Sequence, residues 1–180
     1  MKKLIASLVV IFSCTTISFS QNRIIAENFE SRSEGENLLV KSPENFSTWG
    51  ALTKWTVAVS AAEGNSKNNK FACSSNNKMV SFVRNVKLEE GQTYLFKVAT
   101  KIMGEETPSK RSHSIKVTSG KKGDIKIYGE KKIDKPALDT WESSGIEFTV
   151  ESGLTNVSLQ VFRFQAGGIL NVDDFVLIKQ

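Results

Sequence analysis

The closing segment GILNVDDFVLIKQ sets two adjacent carboxylates, Asp173 and Asp174, inside an otherwise apolar run. A buried or half-buried carboxylate is costly unless a cation or hydrogen-bond donors compensate it, so the pair calls for a partner elsewhere in the chain. A second chemistry lies one run earlier, in NVSLQVFRF. Alternation there buries Val157, Leu159 and Val161 and leaves Ser158, Gln160 and Phe162 on the opposite side. A phenylalanine among polar neighbours either binds something or covers an edge. Tyr128, Trp49 and Trp141 fall near loops and join Phe162 and Gln160 as exposed candidates. His113 is the single histidine and lies in the charged stretch MGEETPSKRSHS, read as a loop. One histidine excludes multi-histidine metal sites and leaves any Ser–His–Asp arrangement resting on a loop residue.

The elements that must position these residues are strands. After residue 20 helical periodicity is almost absent. Alternation over five to eight residues recurs instead, punctuated by Gly, Asn, Ser and Lys clusters. The clearest runs are WTVAVS, KMVSFVRNV, TYLFKVATKI, SIKVTS, DIKIYG, GIEFTV, NVSLQVFRF and ILNVDDFVLI, and no proline interrupts them. Their number and spacing predict an all-β antiparallel β-sandwich of about eight or nine strands, in jelly-roll form. The facings follow from the period of two. Tyr94, Phe96, Val98 and Ile102 point inward, as do Ile115 and Val117, and Ile146, Phe148 and Val150. Lys97, Lys101 and Lys116 point outward; on one sheet they would attract an acidic polysaccharide, and otherwise they form a solvated face. By the same parity Asp173 shares the side of Phe175 and Leu177, while Asp174 faces out.

The 180-residue length suits one domain with a real core. Residues 1–20 read as a signal peptide: Lys2 and Lys3, an apolar stretch from Leu4 to Ser13, then Ser18-Phe19-Ser20 as a small-x-small cleavage site. The stretch is too short for a membrane span, which predicts a secreted, periplasmic or cell-surface domain over 21–180. Ile11-Phe12-Ser13-Cys14 offers the competing reading of a lipid anchor on Cys14. Without Lys2 and Lys3, 22 basic side chains face 19 acidic ones, a net charge of +3 with no polybasic block, which argues against nucleic acid. Cys73, in the setting Phe71-Ala72-Cys73, reads as a small buried strand residue.

The order of the signposts carries a resemblance. Asn28-Phe29-Glu30 opens the domain, Trp49 and Trp55 follow, VKLEEGQTYLFKV stands mid-chain, Trp141 precedes IEFTV, and ESGLTNVSLQV leads to GILNVDDFVL. This pattern resembles the jelly-roll carbohydrate-binding modules of galactose-binding-like fold that are attached to bacterial polysaccharide-degrading enzymes. The resemblance implies a structural calcium between the opening and closing strands, with Glu30, Asp173 and Asp174 as ligands. Calcium takes six to eight oxygens. A backbone cap or a lysine partner is the alternative for the two aspartates. The resemblance also implies stacking of aromatic rings on sugar faces, with hydrogen bonds from planar polar groups, and makes Phe162, Gln160, Trp49 and Tyr128 the ligand-binding candidates. Trp55, Tyr94 and Trp141 are expected to be core.

Catalysis finds little support. No phosphate-binding loop or dinucleotide fingerprint occurs. Glycoside hydrolysis needs two carboxylates across a cleft, and the spacing of Glu63, Glu89, Glu105, Glu142 and Glu147 pairs none of them. The expectation is a non-catalytic module for a polysaccharide or oligosaccharide. The alternative is a structural or adhesion component of the cell envelope that contacts another protein. A small lyase or hydrolase ranks last.

Overall fold

The computed structural model describes residues 22–39, 46–48, 54–60, 69–75, 80–104, 112–121, 123–163 and 168–180. They form ten strands: β1 (Asn22–Glu27), β2 (Trp55–Val59), β3 (Lys70–Ser74), β4 (Val80–Lys87), β5 (Thr93–Met103), β6 (His113–Lys121), β7 (Asp124–Ile133), β8 (Glu142–Thr149), β9 (Asn156–Arg163) and β10 (Ile169–Lys179). Sheet A runs β2-β3-β10-β5-β8, with β1 also on β10; sheet B runs β4-β9-β6-β7. Every pairing is antiparallel. This is the all-β jelly-roll sandwich that the alternation predicts. Two strands lie outside the eight predicted runs: β3, read only from the setting of Cys73, and β1, whose only buried residue is Ile25, so that it carries no periodic signal. No helix among the described residues is long and apolar enough to cross a membrane.

The inward sets pack as their parity requires. Tyr94, Phe96, Val98 and Ile102 from sheet A meet Ile115, Val117, Val157, Leu159 and Val161 from sheet B in one buried cluster. At one end Phe82 stacks on Phe46 (centroids 3.9 Å apart) and tilts against Trp55 (4.5 Å), with Phe29 and Phe175 around them. At the other end Tyr94, Phe148 and Tyr128 form a chain of rings. Polar links also join the sheets across this core. Trp55 donates Nε1–H to the Ser81 carbonyl at 2.9 Å, and Thr100 Oγ1 bonds His113 Nε2 at 2.8 Å. His113 is therefore a buried residue of β6, not a loop residue, and it spends its ring nitrogen on the fold.

Two β-bulges decide what the outer faces carry. β10 pairs with β3 through Asn171 and Val172 and with β1 through Phe175 to Lys179. At the handover its register against β5 shifts between Asp173 and Val176. Asp174 is the extra residue, with φ at +46°, a left-handed conformation that aspartate tolerates better than most residues. The bulge switches the parity, so Leu170 and Val172 face the core on one side of it and Phe175 and Leu177 on the other. Asp173 thus aligns with Asn171 on the outer side of sheet A, the reverse of what unbroken alternation predicts. A second bulge lies between β6 and β7, at the step from Val117 to Thr118.

Candidate functional site

The outer face of sheet B is built in three lateral rows. Ser81, Phe162 and Ser114 form the first; Val83, Gln160, Lys116 and Glu130 the second; Asn85, Ser158, Thr118 and Ile127 the third. Adjacent side chains in such rows are direct cross-strand neighbours. Gln160 Nε2 donates to Thr118 Oγ1 at 2.8 Å, while its Oε1 is buried with no hydrogen-bond partner. The Lys116 ammonium lies 5.0 Å from the Phe162 ring centre and 3.0 Å from Glu130 Oε2. Ser158 donates to Asn85 Oδ1 at 2.5 Å. Along the free side of β4, Ser47 exchanges two backbone bonds with Val83, at 2.7 and 2.9 Å, which sets Thr48 Oγ1 3.3 Å from Ser81 Oγ.

Phe162 and Gln160 are therefore neighbours on the predicted face, but they are not exposed. They keep 4% and 2% of their surface. Trp49 lies outside the described residues. Tyr128 stands apart from this cluster. Counting back by twos from Glu130 would put it on the outer face, but the bulge gives that place to Ile127. Tyr128 instead packs 5.5 Å from the Phe148 ring, and its hydroxyl accepts the Glu151 N–H at 3.1 Å. Parity alone could not reveal this, because the extra residue depends on pairing with β6.

The three lysines do not share a face. Lys97 and Lys101 project from β5 in sheet A, whereas Lys116 is in sheet B and paired with Glu130. The premise for an acidic ligand fails with them. On the outer side of sheet A, Lys101 Nζ sits 5.2 and 4.9 Å from the rings of Phe71 and Trp141, which meet edge to face. Trp141 thus packs, but outside the sandwich core and half-buried. Between Cys73 and Lys101 in the same row lies Asn171, fully buried, with neither amide atom bonded. Cys73 is half-buried, and burial raises its thiol pKa.

The residues proposed for calcium gather where β10, β3 and the β1–β2 loop meet, with both carboxylate oxygens of Asp173 and one of Glu30 accepting hydrogen bonds. Asp173 Oδ2 accepts from Asn69 Nδ2 at 2.8 Å, and Oδ1 accepts the Asp174 N–H at 2.7 Å. Glu30 Oε1 accepts the Lys70 N–H at 2.9 Å. Asp174 is the exposed bulge residue. Lys70 Nζ donates to the carbonyl oxygens of Glu30 and Arg32, at 3.1 and 2.7 Å. An ion drawing on those two carbonyl oxygens would have to displace the Lys70 ammonium. No group of three or more metal-type side chains occurs among the described residues. Burial pushes the Asp173 carboxyl up to about 6, against the pull of its two donors and with help from the nearby charges of Asp174 and Glu30.

No protein-family model and no curated sequence matches this chain. Solved structures do. The C-terminal family 22 carbohydrate-binding module of Clostridium thermocellum Xyn10B aligns with a TM-score of 0.59 at 13% identity, covering 89% of this chain and 96% of that one. A family 4 carbohydrate-binding module aligns at 0.57 and 14% identity, over 86% and 97%. The xylan-binding CBM22-1 domain of Paenibacillus barcinonensis Xyn10C aligns at 0.57 and 11%, over 88% and 95%. At such identities the likeness is one of architecture, and it spans nearly the whole length of each module. The chain has the jelly-roll fold of the carbohydrate-binding modules.

Proposed function

We propose that this protein binds a neutral polysaccharide or oligosaccharide on the outer face of sheet B and performs no chemistry on it. The observation that carries this is Gln160. A buried amide oxygen without a partner costs the fold free energy, and it lies between a row that carries the Phe162 ring with Ser81 and Ser114 and a row that carries Asn85, Ser158 and Thr118. That combination suits a pyranose, whose C–H face is apolar and whose rim is hydroxyl. Lys116 covers Phe162 in the free protein, so the ligand takes the ring's face as that side chain swings aside. Glu130 neutralises Lys116, which favours an uncharged glycan. Two carboxylates across a cleft would be needed for glycoside hydrolysis. Glu130 is the one carboxylate that the described strands bring to the centre of this face, in keeping with a non-catalytic role. The xylan- and carbohydrate-binding neighbours supply further support by analogy of fold alone. The leader-like residues 1–20 support action outside the cytoplasm, as a secreted, periplasmic or surface component.

The test is affinity electrophoresis through gels containing a panel of neutral and acidic polysaccharides. Retardation by a neutral glycan is expected. Gln160→Met keeps the shape and removes the unpartnered oxygen, so it should weaken binding about tenfold while leaving the unfolding midpoint near that of the parent. Parent-like binding by that variant, or no retardation by any glycan, defeats the proposal. The second outcome moves the assignment to a protein-contacting envelope role. Ile125 and Ile127, 60% and 51% exposed on the free edge strand β7, are the surface such a role would use.

A further inference from the structure

We propose that Lys70, together with Arg32, provides the fixed cationic charge that organises the opening loop, and that this loop is built without a metal ion. The end of β1 and the loop after it carry Glu27, Glu30, Glu34 and Glu36 within ten residues, a density of charge that repels itself unless it is compensated. Arg32 compensates two of them. Its Nε and Nη2 reach Glu27 Oε2 at 3.2 and 2.7 Å, and its Nη1 reaches Glu36 Oε1 at 2.8 Å. Glu27 and Glu36 in turn accept the backbone N–H groups of Phe29 and Ser33, at 2.9 and 3.1 Å. The turn closes through Arg32 N–H to the Phe29 carbonyl at 3.0 Å, with Phe29 in a left-handed conformation.

That turn points the carbonyls of Glu30 and Arg32 at one spot, and Lys70 fills it. The ammonium spans both oxygens, and the backbone N–H of the same residue holds the Glu30 carboxylate. Its stem is anchored in β3, beside Asn69, which ties Asp173 of β10 into the same corner. Converging carbonyls with a neighbouring carboxylate are the donor types of a hard-cation site. Here the donor-to-acceptor distances are those of ammonium hydrogen bonds. Lys70 holds the two carbonyl oxygens and Arg32 the carboxylates of Glu27 and Glu36, and being covalently attached neither charge can dissociate. The loop is therefore expected to keep its shape whatever the ambient calcium. This inference goes beyond the glycan-binding reading and stands whether or not sheet B binds a sugar.

Thermal unfolding of the purified protein in millimolar calcium and in a chelator tests it. The two midpoints should coincide, because a ligand that binds only the native state would raise the first. Lys70→Met should lower the midpoint by roughly 3 to 10 °C in both solutions, a failure to fold being the extreme of the same loss. A parent midpoint that rises with calcium overturns the proposal outright. A Lys70→Met midpoint equal to that of the parent overturns it too, by showing that the ammonium holds nothing.

Discussion

Phe82→Ala is expected to remove about 3–5 kcal/mol of stability, the range for deleting a fully buried aromatic ring. The ring projects inward from β4, has no exposed surface and touches aromatic partners on all sides. Phe46 stacks on it nearly in parallel, Trp55 tilts against it from sheet A, and Phe175 of β10 meets it edge-on at 6.1 Å. Alanine would leave a void that four rings cannot collapse into without leaving their rotamers. The loss should reach the candidate site as well. Phe46 belongs to the short segment that runs along β4 through Ser47 and Val83, so a loosened Phe46 frees the strip that carries Thr48 past Ser81. Denaturant unfolding should show the full loss for alanine and well under half of it for Phe82→Leu, which keeps most of the apolar volume. A loss below about 1 kcal/mol for alanine would mean that this cluster does not join the sheets.

The facings of the sandwich were legible in the sequence because they are local. Tyr94, Phe96, Val98 and Ile102, like Val157, Leu159 and Val161, lie where alternation puts them, and all of them are core. The architecture followed from counting such runs. What escaped was set by the neighbouring strand. The bulges that turn Tyr128 inward and Asp173 outward exist only in pairings with β6 and β5. The division of Lys97 and Lys101 from Lys116 depends on which sheet each strand joins, and nothing within a strand records that. Burial of His113 beside Thr100 is likewise a contact between sheets. Phe162 and Gln160 fall on the outer side of sheet B, as alternation predicts, because both sit on an unbroken stretch of β9, but their burial there was not legible within the strand. Lys70 left no trace, because its value lies in two carbonyls some forty residues upstream.

Asp173 is expected to make the protein less stable as the pH rises from about 4 to about 6. Its folded-state carboxyl is pushed up to about 6 from an ordinary 3.8, chiefly by burial. Between those values the folded state holds a proton that the unfolded chain has released, so stability falls with increasing pH through this window and is level on either side. Holding the carboxyl at 6 costs the ionised folded state about 3 kcal/mol at neutral pH. Two donors soften the cost and two neighbouring carboxylates, Asp174 and Glu30, add to it. Asp173→Asn removes the charge and can keep both hydrogen bonds, since Oδ1 still accepts from the Asp174 N–H and the Asn69 amide can turn its oxygen to meet the new amino group. The variant should gain about 1–3 kcal/mol over the parent above pH 6 and nothing near pH 4. Subtracting denaturation curves of variant and parent at matched pH cancels every other titrating group. A difference that is flat across the window would show that Asp173 ionises at its ordinary value. A difference of opposite sign would show that a cation or a donor beyond Asn69 and Asp174 stabilises the charge, and that the aspartate in the apolar strand is an asset at neutral pH.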